Sequence, residues 1–203
     1  MQRKYFLITA AMLAVALLFS LDRHGFAQQE PISKEPIGTK LPKAIYIQAQ
    51  AMGQSTQLGQ TFAVDLIIEE FSTPEEQKGL IEAFNAKKNE GLTNALSKMK
   101  SKGHMAITGT LGYDVSYIRQ FDLPDGSVKL RLVTDRPIRF GEAWSDSRSM
   151  DYSLSGVEVI LSPDEKKNSG TLVPLCQLKL DKENQLQLEL YQNPWKLVNV
   201  RRR

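Results

Sequence analysis

The stretch from Thr61 to Tyr117 changes its hydrophobic period twice, which constrains the fold more than any other feature of the sequence. Phe62, Val64, Leu66 and Ile68 place four apolar side chains on one face, with Asp65 and Glu69 on the other, as in a strand with one buried face. Apolar residues then recur at the spacing of a helix, and the period of two returns at Met105. The flanking sequence is rich in strand and turn patterns, so we interpret the helical part as an insertion into a β framework.

A helix is predicted to begin at Thr73-Pro74-Glu75-Glu76. The threonine can cap the free N–H groups, the proline suits the first helical position, and the second glutamate completes a capping box. Asn89-Glu90-Gly91 interrupts the helical pattern, and Gly103 is placed to end it in the left-handed conformation. The sequence therefore predicts two short helices or one kinked helix at about residues 73–103.

Strand patterns dominate the rest of the sequence. Apolar residues occupy most odd-numbered positions from Met105 to Tyr117, which predicts one long strand or two strands bent near Gly109 and Gly112. Leu123-Pro124-Asp125-Gly126 has the composition of a turn and predicts a hairpin with Val128–Val133. Further strands are predicted at Ala44–Met52, Arg136–Phe140, Gly156–Leu161, Leu172–Leu180, Gln185–Tyr191 and Trp195–Val200.

The predicted strands number about eight or nine, and most of them follow one another through short turns. Such connections favour antiparallel pairing. We therefore predict an α+β fold that is mainly β, either an antiparallel sandwich or a partly closed barrel, with the helical insertion at about residues 73–103. The periodicity does not distinguish the sandwich from the barrel.

Residues 1–27 have the pattern of a secretory signal peptide. A basic start is followed by an apolar run from Tyr5 to Phe19, and Gly25 and Ala27 are small residues suited to a cleavage site. The rival interpretation is an uncleaved membrane anchor, but the run has 15 residues and a spanning helix needs about 20. Cleavage near Ala27 predicts an exported protein, periplasmic or extracellular, that contacts the membrane only through the signal segment before cleavage.

The remaining chain is predicted to contain one folded domain. Residues 28–43 are rich in Gln, Lys, Glu and Pro, which predicts a disordered or extended lead-in. Residues 44–203 are long enough for a single β-rich domain with a substantial core. Cys176 is the only cysteine, so no intramolecular disulfide can form and the fold must depend on that core.

The charge of the chain gives no support for a nucleic-acid partner. The formal net charge of +3 falls to about +1 after cleavage, because residues 1–27 carry three basic residues and one acidic residue. Arg201-Arg202-Arg203 contributes three positive charges to the remaining chain and is interpreted as a short solvated terminus. A nearly neutral body lacks the basic face that phosphate recognition needs.

The sequence contains few residues suited to catalysis. His104 is the only histidine after residue 27, so a multi-histidine metal site cannot form within one chain. We expect its imidazole to satisfy nearby carbonyls and Cys176 to be an inert core thiol, although a Cys176–His104 nucleophilic pair is conceivable. The sequence has no phosphate-binding loop, nucleophile elbow or dinucleotide fingerprint. No catalytic, metal-binding or cofactor-binding residue is assigned.

One segment, between Asp135 and Trp144, has the composition of a binding surface. The candidate patch consists of Arg136, Arg139, Glu142 and Trp144. Arginine and tryptophan are enriched at recognition hot spots, and loops on rigid scaffolds often carry binding residues. The alternative is an edge strand with ion pairs and a tryptophan that covers the core.

Four stretches resemble a group of secreted bacterial proteins to which no activity is assigned. They are Phe62–Glu75, Ile107–Asp114, Arg136-Pro137-Ile138 and Asn193–Val200. The resemblance covers most of the chain after residue 27. It implies a single exported domain and assigns no role to any residue.

The leading hypothesis is an exported, non-enzymatic β-rich domain that binds a small ligand or an envelope protein, in the cell envelope or outside the cell. The alternative is an extracellular or periplasmic hydrolase that uses paired carboxylates. Its candidate carboxylates are Asp114, Glu142, Asp146 and Asp151. A third hypothesis is a structural protein of the envelope. No cofactor is implied by any of the three.

Overall fold

The structure is a computed structural model that describes residues 40–138, 153–189 and 194–203, except for the side chains of Lys40, Pro42 and Thr56. The predicted signal peptide and residues 28–39 of the lead-in lie outside the described residues. The helix is α1 (Pro74–Leu96), and the strands are β1 (Lys40–Met52), β2 (Thr61–Glu70), β3 (Gly103–Ile107), β4 (Tyr113–Asp122), β5 (Val128–Thr134), β6 (Leu154–Leu161), β7 (Ser169–Cys176), β8 (Leu178–Leu180), β9 (Leu186–Leu188) and β10 (Trp195–Arg202).

Eight strands form a closed antiparallel barrel in the order β1-β10-β7-β6-β5-β4-β3-β2. The chain leaves the barrel after β7, forms the separate two-stranded sheet β8–β9, and returns as β10. β10 pairs with β7 on one side and with β1 on the other, and this pairing closes the sheet. The mainly β class and the barrel alternative are therefore confirmed, and the described strands number ten rather than eight or nine.

The interior of the barrel is a packed apolar core. Alternate residues of each strand face inward, so β1 contributes Ile47, Ala49 and Ala51, each at most 7% exposed. Trp195 of β10 is 1% exposed and packs against Phe62 in a tilted arrangement, with ring centroids 4.6 Å apart. An eight-stranded barrel is just wide enough for its side chains to fill. Ligand sites are therefore to be sought on the outer wall and at the ends.

A second apolar cluster covers the outer wall of the barrel. It joins α1 and the β8–β9 sheet to the outward-facing side chains of β4 to β7. Its buried members are Leu80, Leu92, Leu96, Tyr117, Val133, Leu154, Val173, Cys176, Leu178, Leu186 and Leu188. Some outward positions of four barrel strands are thus buried, so apolar side chains such as Tyr117, Val133 and Val173 occur on the outer face as well as the inner one.

Helix α1 begins as predicted and ends earlier than predicted. Glu76 N donates to Thr73 Oγ1 at 3.1 Å and Thr73 N donates to Glu76 Oε2 at 2.8 Å, which confirms the capping box. The last helical residue is Leu96, and Gly103 instead begins β3, where a side chain would overlap the backbone of Ile67 on β2. The prediction that Gly103 ends the helix is therefore wrong.

The helix is kinked, but not at the predicted place. Non-helical dihedral angles occur at Lys87 and Lys88, immediately before the predicted interruption at Asn89-Glu90-Gly91. A side chain at Gly91 would overlap the carbonyl oxygen of Ala83. Gly91 therefore permits the second half of the helix to approach the first half closely, instead of breaking the helix itself.

Several strand boundaries also differ from the predictions. β1 begins at Lys40, inside the predicted lead-in. Met105 to Tyr117 is divided between β3 and β4, with positive φ angles at Gly109 and Gly112 between them, which confirms the two-strand alternative. The predicted strand Leu172–Leu180 is interrupted at Gln177. The turn before β5 is confirmed, since Gly126 has φ 78° and its N–H donates to Leu123 O at 3.0 Å. Among the described residues, no helix is both long and apolar enough to cross a membrane.

Candidate functional site

Only Arg136 of the candidate patch can be examined, because Arg139, Glu142 and Trp144 lie outside the described residues. The carbonyl oxygen of Arg136 accepts hydrogen bonds from the hydroxyls of Thr134 and Ser155, at 2.6 and 2.9 Å. Its guanidinium lies 6.0 Å from the ring centroid of Tyr113. The backbone after β5 is therefore fixed, while the Arg136 side chain stays 58% exposed at the end of the barrel.

The carboxylate pair of the hydrolase hypothesis cannot be assembled from the described residues. Asp114 is the one candidate among them, since Glu142, Asp146 and Asp151 lie outside the described ranges. Asp114 Oδ1 lies 3.4 Å from His104 Nδ1, and His104 Nε2 donates to the carbonyl oxygen of Leu111 at 3.2 Å. His104 therefore satisfies a backbone carbonyl, as predicted, but this carbonyl belongs to the β3–β4 turn and not to a helix end.

Cys176 is a core thiol. It is 1% exposed and belongs to the outer-wall cluster. Burial raises the pKa of the Cys176 thiol well above its usual range, so the reactive thiolate is disfavoured. Across the described ranges, no group of three or more His, Cys, Asp or Glu side chains could hold a metal ion.

The pocket with the most distinctive geometry lies where the kink of α1 meets β8. We call it the corner pocket, and it has a volume of about 700 Å³. Its lining includes Phe84, Lys87, Lys88, Ser153, Lys179 and Glu189. Ser153 directly follows the polar segment 139–152, so this pocket adjoins in sequence the region that carries the predicted patch.

The backbone at the corner pocket is strained. Lys88 has φ 52° and ψ −139°, a conformation that residues with a side chain rarely adopt. Such a residue costs on the order of 1–3 kcal/mol and persists only where its surroundings hold it in place. The backbone at Lys88 is held by hydrogen bonds of the next residue, Asn89.

Asn89 fixes the kink to the small sheet. Its Nδ2 donates to Leu178 O at 3.1 Å, and Leu178 N donates to Asn89 Oδ1 at 2.8 Å. The carboxamide thus pairs with the free edge of β8 in the manner of a strand backbone. Thr93 Oγ1 donates to Asn89 O at 2.9 Å and lies 2.6 Å from Ser153 Oγ. These contacts tie α1, β8 and the start of β6 together around the pocket.

Arg131 fixes the opposite edge of the small sheet. This residue of β5 is 2% exposed, and its Nη1 donates to Leu186 O of β9 at 2.5 Å. Its Nε donates to Glu158 Oε1 at 2.6 Å, and its guanidinium lies 4.8 Å from the ring centroid of Phe121. A carboxylate, a carbonyl and an aromatic face therefore compensate the buried charge. Both edges of β8–β9 are held by side chains from distant parts of the sequence.

The corner pocket is polar and carries a small excess of positive charge. Its lining contains the lysines Lys87, Lys88 and Lys179 and the glutamates Glu90 and Glu189. Side-chain amides and hydroxyls add neutral hydrogen-bonding groups. Histidine and cysteine do not occur in its described lining. These groups can bind a polar anion through charge and hydrogen bonds.

A second pocket, of about 410 Å³, lies on the outer wall of β6, β7 and β10. Glu158, Thr171 and Lys196 line it and lie side by side in the register of the three strands. Glu158 already accepts a hydrogen bond from Arg131. None of the described residues in its walls has the positive φ angle that Lys88 has in the corner pocket.

Comparisons of the chain with protein-family models, with curated proteins and with solved structures found no match. The resemblance to a group of secreted bacterial proteins therefore stays a prediction. The site must be judged on its own geometry.

The corner pocket is only weakly indicated by the sequence. Asn89 and Arg131 bind backbone groups of β8 and β9 that are 89 and 55 positions away in sequence. The hydrophobic periodicity of the sequence cannot reveal contacts between residues so far apart. The one usable signal is the interruption of the helix pattern near Asn89, because a helix kink has a local cause that the sequence can show.

Proposed function

We propose that the protein is an exported, non-enzymatic binding domain and that the corner pocket is its ligand site. The observation that carries this proposal is the strained backbone at Lys88, held in place by the pairing of Asn89 with Leu178. Export is inferred from the pattern of residues 1–27, which predicts a periplasmic or extracellular location.

The filled barrel supports a site on the outer wall. Among the described residues, the interior contains packed side chains such as Trp195 and Leu66, which favours a site outside the barrel over an internal one. The volume of the corner pocket, about 700 Å³, falls within the range of about 300–1,000 Å³ typical of small-molecule sites. Because hydrogen bonds already hold these walls in place, less conformational entropy is lost when a ligand binds.

The charge of the pocket favours a small polar anion with carboxylate or phosphate groups. Three ammonium groups line the pocket against two carboxylates. Lys88 Nζ also lies 5.0 Å from the ring centroid of Phe84, which places its charge on a fixed aromatic face. Lysine is a point-like, strongly hydrated donor and suits anions that keep part of their own hydration.

Binding calorimetry with a set of small anions tests the proposal. Citrate, glucuronate and inorganic phosphate are suitable probes, because they vary in charge and in hydroxyl content. We expect at least one probe to bind, and we expect Lys179→Glu to abolish that binding, since it reverses one charge of the pocket. Lys98→Glu is the matched control, because Lys98 is exposed and does not line the pocket.

Two results would overturn this proposal. One is the absence of binding by every probe, and the other is equal binding by Lys179→Glu and the unmodified protein. A native mass spectrum of the protein from an export-competent host tests export separately. The expected mass is that of a chain beginning at Gln28, and a mass that includes residues 1–27 would contradict cleavage.

A further inference from the structure

The arginine run at positions 201–203 is part of the barrel. Arg201 and Arg202 belong to β10 and pair with Gln48 and Ile47 of β1. Arg203 N donates to Tyr46 O at 2.9 Å, which continues this pairing beyond the end of the strand. The side chains are exposed, as the interpretation of a solvated terminus predicts, but the backbone is paired with β1 and holds the three positive charges at the end of the barrel.

These side chains form an exposed surface that we call the arginine end, defined by Lys43, Tyr46, Arg201, Arg202 and Arg203. All five are exposed, and Tyr46 remains 45% exposed although it lies on a barrel strand. Within the described ranges, none of the three arginines lies within ion-pair distance of a carboxylate. Their positive charge is therefore available to an external partner.

The neighbouring charges limit the strength of this surface but do not cancel it. The turn at Glu165–Lys167 is tied to β10, since Asn168 Nδ2 donates to Val200 O at 3.1 Å. That turn contains two lysines with acidic neighbours at Asp164 and Glu165, so its net charge is close to zero. Strand β2, on the other side of β1, contributes Asp65 and Glu69. The arginine end thus combines a modest excess of positive charge with one exposed aromatic ring.

We infer that the arginine end is a docking surface for an anionic lipid membrane. Arginine pairs well with lipid phosphates, and tyrosine is enriched at the boundary between headgroups and acyl chains. A protein with this nearly neutral body has little long-range attraction to nucleic acid, whereas a membrane provides both an anionic plane and an apolar boundary for Tyr46.

The direction of the chain supports a membrane as the partner. β1 begins at the same end of the barrel at which antiparallel β10 ends. The apolar run Tyr5–Phe19 precedes the start of β1 by about twenty residues. Before cleavage, this short separation in sequence links the run to the strand that pairs with Arg201 and Arg202. Docking there would extend membrane contact beyond the signal segment, to which the sequence prediction confined it.

Vesicle co-sedimentation tests the inference, with the protein purified from an export-competent host. The vesicles are pure phosphatidylcholine or phosphatidylcholine mixed with phosphatidylglycerol, each at low and at high salt. We expect binding to the anionic vesicles only, and we expect salt to weaken it. Each basic residue near an anionic surface contributes about fivefold to partitioning, so Arg201→Gln with Arg202→Gln should weaken binding about 25-fold.

The matched control is Lys98→Gln with Lys100→Gln, which removes the same charge from exposed residues after α1. We expect this control to bind anionic vesicles as the unmodified protein does, and Tyr46→Ala to bind more weakly. The inference is overturned by equal losses in both double variants, by equal binding to neutral vesicles, or by no binding at low salt. Arginine-dependent binding to single-stranded DNA that exceeds binding to lipid would also overturn it. An unchanged thermal midpoint shows that each variant is folded.

Discussion

Replacement of Asn89 is expected to loosen the corner pocket. Asn89→Ala removes both hydrogen bonds to Leu178 and leaves the N–H and C=O of that residue without their side-chain partner. Each net hydrogen bond contributes about 1 kcal/mol, and a buried group left unsatisfied costs about 1–3 kcal/mol. The groups are only partly buried, so water recovers part of this loss. We expect a destabilisation of about 2 kcal/mol, or about 4–8 °C in Tm for a chain of this length.

Thermal and urea unfolding measure this change. Asn94→Ala is the matched control, because Asn94 is an exposed asparagine in the same half of α1 that also lines the pocket. Asn89→Asp adds a second comparison, since the carboxylate still accepts from Leu178 N but repels Leu178 O. Its instability should diminish at acidic pH, where the protonated carboxyl can donate again. Equal stability of Asn89→Ala and Asn94→Ala would refute the reasoning.

Three further predictions concern stability and reactivity. Lys102 is 3% exposed and bridges Glu70 and Glu76 at 2.7 and 2.8 Å, so Lys102→Met should cost about 3 kcal/mol in urea unfolding. Burial alone lowers the pKa of Lys102, but its hydrogen bonds to the two glutamates and their negative charges raise that pKa overall. The contribution of Lys102 to the stability of the folded protein should therefore be complete below pH 10.5 and be lost as the pH rises through the raised pKa. Gly91→Ala should lower the urea midpoint, because a methyl group would overlap the first half of α1. Cys176 should resist alkylation in the native protein and react in urea, and rapid native labelling would contradict its burial.

Local chemistry explains which parts of the fold could be predicted. The capping box at Thr73 and the turn before β5 depend on a few consecutive residues, and both form as the sequence predicts. Closure of the barrel depends on the pairing of β10 with β1, whose partners Arg201 and Gln48 are far apart in sequence. Hydrophobic periodicity reports which face of a strand is buried, but it does not report which strand is the neighbour.

Glycine was the main source of wrong predictions. The sequence predicts that Gly91 helps to interrupt the helix and that Gly103 ends it, yet neither residue has a positive φ angle. Both occur where another backbone segment approaches closely, and this approach is visible only in three dimensions. The residue that does adopt a positive φ at the kink is Lys88, which nothing in its own chemistry would predict.

The division between β7 and β8 was hidden for a different reason. Cys176 and Leu178 both carry buried side chains, so the apolar alternation continues across the break at Gln177. Both residues contribute to the outer-wall cluster, one from the barrel and the other from the small sheet. An unbroken pattern can therefore span two elements when they pack against the same cluster.

The most direct test of the binding proposal is to map chemical shifts in the amide NMR spectrum while the protein is titrated with the anion that binds in calorimetry. The proposal predicts that the largest shifts cluster at Lys87, Lys88, Asn89 and Lys179. They should saturate at the concentration that calorimetry gives. Shifts confined to the arginine end, to the 410 Å³ pocket or to the segment around Arg136 would contradict a ligand site at the corner pocket.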